Sequence, residues 1–104
     1  MSISGSEIRE AFAQTVTITD DSLNVELSDG RTIIVPLAWF PRLADGTQAE
    51  RINWRLIGGG EGIHWPDLDE DIELVRLFQG GKSVETESSI QRWLAERQEK
   101  VTAH

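Results

Sequence analysis

The 104-residue sequence has no cysteine and no tyrosine, only three prolines, and ten basic side chains against eighteen acidic ones. Without cysteine there is no disulfide framework, no thiolate zinc site and no cysteine nucleophile. No apolar run approaches the roughly 20 residues that a membrane span requires. Residues 1–12 lack the basic-then-apolar layout of a signal peptide, so the expected setting is the cytoplasm and no membrane partner is expected. The formal charge is −8. Phosphate binding needs clustered Lys and Arg, whereas Arg31, Arg42, Arg51 and Arg55 are scattered among acids, so direct nucleic-acid binding is not expected. Such a surplus of carboxylates suits a basic protein partner instead. The length fits one domain, and 38 % hydrophobic residues place it among folded chains rather than disordered ones.

Periodicity divides the chain into three parts. Residues 1–14 read as an arm: Ser4 and Glu7 spell a capping box, with Ile8, Ala11 and Phe12 at helical spacing, so a short helix or disorder is expected. Residues 15–80 read as the α+β core. Thr15–Thr19 alternates, with Val16 and Ile18 on one face, and Leu23, Val25 and Leu27 alternate in the next strand. Asp29-Gly30 predicts a type I′ hairpin turn into a third strand, Arg31–Val35, closed by Pro36.

Around Pro41 the pattern predicts either a helix starting near Phe40 or two short pieces meeting. Thr47 and Glu50 spell a second capping box. Asn53–Ile57 and Ile63–Trp65 read as strands joined by the turn Gly58–Gly62. Leu68, Ile72, Val75 and Phe78 then recur at helical spacing, stopped by Gly80-Gly81. Residues 81–104 read as a polar linker and a C-terminal helix, opened by a Ser88–Gln91 box and striped by Ile90, Trp93, Leu94 and Val101. The expected fold is thus one small antiparallel sheet of about five strands, begun by a three-strand meander, with short helices and a C-terminal helix.

Few constellations carry chemistry. Asp67, Asp69 and Asp71 imitate positions one, three and five of a calcium loop, but Ile72 and Phe78 stand where that loop needs glycine and a bidentate glutamate. The bland explanation is that Asp67, Asp69, Glu70, Asp71 and Glu73 offset the positive end of the following helix. The glycine run leads into a strand without a following Lys-Ser/Thr, so it predicts a hairpin and not a phosphate loop. His64 is the one histidine in the body of the chain, with His104 at the terminus. One histidine without cysteine builds no ordinary zinc site, and no nucleophile signature accompanies it. Four tryptophans are many for this length. Trp39 and Trp65 suit core edges where the N–H finds a partner, and Trp93 suits either core packing or an interface anchor.

Three stretches carry a resemblance: Pro36–Leu43 (PLAWFPRL), Asn53-Trp54-Arg55-Leu56, and Gly60–Asp71 (GEGIHWPDLDED). They resemble the small prokaryotic domain-of-unknown-function family 2442 (DUF2442), from about Thr15 to Gly80. Trp65-Pro66 followed by aspartates is the most specific mark. The resemblance implies an α+β domain with a small antiparallel sheet. It also implies a gene beside that of another small protein, a toxin–antitoxin-like pair, with no established catalytic residues and no cofactor.

The expected function is a non-enzymatic acidic protein-interaction module, antitoxin-like or regulatory within a bacterial gene pair, with a homodimer also open. Trp93, Trp65, His64, Asp67, Asp69, Glu70 and Asp71 are its candidate partner-binding residues. The alternative is a small-molecule or divalent-metal-binding domain using His64, Trp65 and the Asp67–Asp71 cluster. A hydrolase using His64 with Asp67 or Asp69 has only their proximity in sequence behind it.

Overall fold

Alternation is strongest between Ala13 and Pro36, and there the first sheet forms. In the computed structural model, which describes residues 11–83 and 85–102, strands β1 (Ala13–Ile18), β2 (Ser22–Leu27) and β3 (Thr32–Pro36) lie in that order, each antiparallel to its neighbour. Val16 stands opposite Val25, which stands opposite Ile33; Ile18, Leu23 and Val35 form the next row. These rows face the core, and Thr17, Asn24 and Ile34 face away. β1 begins two residues before its expected start. A register shift between Ala13 and Thr15 leaves Gln14 without a partner, and this bulge turns Ala13 to the same buried face as Val16.

The Asp29-Gly30 turn is not type I′, because of the two residues only Gly30 has a positive φ, +93°. Gly30 N donates to Leu27 O at 3.1 Å and Leu27 N to Arg31 O at 2.8 Å, a three-residue loop ending in a left-handed glycine. Asp29 instead clasps Arg31, whose backbone N and Nε donate to its carboxylate at 3.1 and 2.7 Å.

A 3-10 turn at Leu37–Trp39 meets helix α1 (Pro41–Ala44) at Pro41, whose missing N–H is not needed in a first turn. Helix α2 (Gln48–Ile52) opens with the expected box: Glu50 N donates to Thr47 Oγ1 at 3.1 Å and Thr47 N to Glu50 Oε1 at 2.8 Å.

Strands β4 (Arg55–Ile57), β5 (Gly62–Trp65) and β6 (Glu70–Glu73) build a second, separate antiparallel sheet. The single five-stranded sheet is therefore corrected to six strands in two sheets of three. The extra strand comes from residues whose spacing predicted helix. Ile72 pairs with Ile63 and Glu70 with Trp65, so β6 widens the buried face of β5. Burial follows period two through Ile72 and Leu74; Val75, expected on the helical stripe, is 51 % exposed. Only Leu74–Phe78 is helical (α3).

The two sheets meet where Ala13 N donates to Gly60 O at 2.9 Å, and their inner faces share one core with Leu37, Phe40, Leu43 and Leu68. Helix α4 (Glu87–Thr102) is capped by Thr86, whose Oγ1 accepts from Ser89 N at 3.2 Å, in place of the expected Ser88. Most of the expected Ser4–Phe12 helix, His104 and the Val101 side chain lie outside the described residues. Among the described residues, no helix is long and apolar enough to cross a membrane.

Candidate functional site

The second sheet sorts its side chains by strand parity. On β5, Ile63 and Trp65 point into the core while His64 points out; on β6, Glu70 and Ile72 point in while Asp71 and Glu73 point out. The acidic cluster is thereby divided, and its explanation as a helix start holds only for Glu73, the N-cap residue of α3, which makes no side-chain capping bond. Asp67 and Asp69 sit in the turn before β6, Asp69 with φ +50°, and α3 has no acidic residue in its first turn. Asp67 accepts from Asn53 Nδ2 at 2.9 Å. Asp71 is the cross-strand neighbour of His64 and hydrogen-bonds its Nδ1. The imidazole is thus partnered by Asp71, not by Asp67 or Asp69, and no hydroxyl is hydrogen-bonded to it among the described residues. Nor is any group of three or more His, Cys, Asp or Glu side chains placed to hold a metal ion among those residues.

Two tryptophan expectations separate. Trp65 is fully buried, with its Nε1 donating to Arg51 O at 3.0 Å, so as a partner-facing residue it is corrected to core. Trp93 is half-buried against the core, with the guanidinium carbons of Arg42 and Arg97 4.9 and 4.7 Å from its ring centroid. Each arginine also grips a carboxylate. Arg97 Nη1 and Nη2 reach Glu50 at 3.0 and 2.8 Å, so the residue that caps α2 also docks α4.

Arg42 sets the electrostatics beside β6. Its Nε and Nη2 donate to Glu85 at 2.9 and 2.7 Å, and its Nη1 donates to Leu68 O at 3.1 Å. This bidentate grip, with a hydrogen bond from Ser89 Oγ at 2.7 Å, holds Glu85 below the usual carboxylate range. Glu70 has no such grip. Burial, then repulsion from Glu85, then Asp71 and Asp69 push its carboxyl up from 4.5 to about 7, against a smaller opposing pull from Arg42. Its folded value exceeds its unfolded one, so its ionisation lowers stability as pH rises from 4.5 to about 7. Glu70→Gln is therefore expected to stabilise the protein at pH 8 by on the order of 1–2 kcal/mol, after allowance for solvent screening. Near pH 4 the difference vanishes; urea midpoints at the two pH values check this, and an equal change at both would refute it.

All four residues of β6 line a groove of about 480 Å³, together with Phe40 and Ile57 and with Lys82, Ser83 and Glu85 opposite. Neither Arg42 nor Glu85 stood out in the sequence. Glu85 lies in a polar stretch without periodicity, and Arg42 is marked only by its place after Phe40-Pro41.

The arginines are largely turned to the chain's own acceptors. Beyond the two just described, Arg31 pairs with Asp29 at 2.6 Å, and Arg51 donates to Leu43 O and Ala44 O at 2.8 and 2.6 Å. Asp20, Asp21, Glu26, Glu61, Asp67, Asp69, Asp71 and Glu73 are exposed. The three arginine–carboxylate pairs remove equal numbers of positive and negative charges, so the surface keeps the acidic balance of the composition, with Arg31, Arg55, Arg76, Lys82 and Arg92 exposed beside these carboxylates.

A family model described as protein of unknown function (DUF2442) matches residues 13–83. Two solved structures share the fold. One is the crystal structure of a protein of unknown function from Rhodospirillum rubrum, 24 % identical, with a TM-score of 0.62 over 78 % of this chain and 98 % of that one. The other is the solution structure of an uncharacterised protein from Chromobacterium violaceum, 16 % identical, with a TM-score of 0.63 over 90 % and 87 %. A search of curated proteins finds no match.

Proposed function

The chain belongs to the DUF2442 family, and from that premise we propose that it is a non-enzymatic acidic interaction module whose partner is a basic protein. The observation that carries this reading is the set of exposed carboxylates at Asp20, Asp21, Glu26, Glu61, Asp67, Asp69, Asp71 and Glu73, while Arg42, Arg51 and Arg97 are half-buried and held by the chain's own acceptors. A net charge of −8 displayed this way accelerates encounter with a cationic surface and repels a second copy of the chain. The paired-gene arrangement that the family resemblance implies makes the product of the neighbouring reading frame the first partner to test. This chain would hold the antitoxin-like or regulatory place in a cytoplasmic pair. Co-expression followed by size exclusion is expected to give a complex at low salt that separates as salt approaches 1 M, where the screening length falls to about 3 Å. Absence of any complex at low salt, with this partner or other basic proteins encoded nearby, overturns the proposal.

A further inference from the structure

A sheet edge displays backbone groups that another strand can pair with. In the second sheet β6 is such an edge, because the order is β4-β5-β6. Leu74 N donates to Glu61 O at 2.8 Å, which fixes the phase of the ladder. Residues 70, 72 and 74 direct their backbone groups at β5, so those of Asp71 and Glu73 point away from it. The Glu73 carbonyl begins α3, which leaves the N–H of Asp71, its carbonyl and the N–H of Glu73 without a partner among the described residues.

We propose that β6 is the docking edge for the basic partner, an extended segment of which adds as a fourth strand in the groove beside Glu70–Glu73. The inference rests on the preceding reading of the protein as a module for a basic partner. It names the surface and the mode of recognition, in which main-chain bonds supply affinity and alternate side chains supply selectivity. Basic side chains on one face of the added strand meet Asp71 and Glu73; those on the other meet Glu70, since the nearby Glu85 is already held by Arg42 and Ser89. Phe40 and Ile57 give the aliphatic stems of Lys or Arg an apolar wall. Two cations, Arg76 and Lys82, also line the groove, against the carboxylates of Glu70, Asp71, Glu73 and Glu85; Arg76 Nη2 donates to Lys82 O at 3.4 Å, and Lys82 Nζ lies 5.8 Å from the Trp39 ring. An incoming cation beside Glu70 favours the ionised form of a carboxyl that burial and Glu85 push up to about 7.

The other three edges lack this combination. β1 already receives the Gly60 hairpin at Ala13, β3 ends in Pro36 and exposes uncharged Thr32 and Ile34, and β4 is three residues long and carries Arg55. The same carboxylates that repel a second copy of this acidic chain select a basic strand.

The test uses the full chain, isotopically labelled, with an acetylated, amidated hexapeptide of alternating lysine and valine as probe. Its alternating glutamate–valine counterpart is the control. On saturation with the lysine peptide, the amides of Asp71 and Glu73 are expected to exchange with solvent about tenfold more slowly, with β1–β3 unchanged. Asp71→Pro removes an outward N–H while leaving the backbone ladder to β5, at the loss of the carboxylate's bond to His64, and is expected to weaken binding about tenfold. Should that variant not fold, Asp71→Lys with Glu73→Lys is expected to weaken binding at least as much while keeping the backbone. Binding with no protection at these two amides, or with protection at another edge, overturns strand addition but leaves the basic-partner reading standing. Failure of both the peptide and every basic neighbour to bind overturns both.

Discussion

Trp65→Ala is expected to remove about 3–5 kcal/mol of folding free energy, the range for deleting a large aromatic from a packed core. Trp65 is completely buried at the centre of the second sheet's inner face, between the Ile63 and Ile72 row and the turn that holds Leu68. Its indole N–H satisfies the Arg51 carbonyl at 3.0 Å, so truncation also strands a half-buried acceptor. Against a total stability of about 5–15 kcal/mol for a natural domain, this loss populates the unfolded state. Urea denaturation followed by near-ultraviolet circular dichroism measures it. Trp65→Phe keeps a ring but not the donor and is expected to fall between the two, whereas an unchanged midpoint for Trp65→Ala would contradict the placement of this side chain.

Gly60→Ala is expected to be the next most damaging change, on the order of 2–4 kcal/mol, from the two mechanisms that act there together. The backbone has φ +107°, which L side chains rarely adopt, and an added Cβ would stand 2.8 Å from both Ala13 O and Phe12 Cβ. The atoms it meets belong to the segment that receives the hairpin, so relief requires the two sheets to separate locally. Gly59, with positive φ but open space around it, is the internal control: Gly59→Ala carries the conformational cost alone and is expected to lose about 1 kcal/mol. Equal effects at the two glycines would show that the contact with β1 contributes nothing.

The first sheet was legible because Val16, Ile18, Leu23, Val25 and Leu27 each obey a period of two next to turn residues that admit no helix. The Thr47–Glu50 box was legible because its geometry is local. The second sheet was only half legible. Residues 68–78 contain one apolar series at helical spacing, Leu68, Ile72, Val75 and Phe78, and another at Ile72 and Leu74. Periodicity alone cannot choose between them. Tertiary pairing with Ile63 and Trp65 chose the strand, and the left-handed Asp69 made the turn that allowed it. The division of the acidic cluster into inward Glu70 and outward Asp71 and Glu73 follows from that strand, so it was hidden with it. The Arg42–Glu85–Trp93 contacts join residues 43 and 51 positions apart, a separation over which one sequence holds no pattern.

Both sheets are meanders in which every paired strand is the next one along the chain. Little loop entropy is lost before either set of strands meets, so each half can form early and quickly. What remains is the docking of two preformed halves through the Gly60–Ala13 contact and the shared core. That encounter, rather than any strand pairing, is the step expected to set the folding rate.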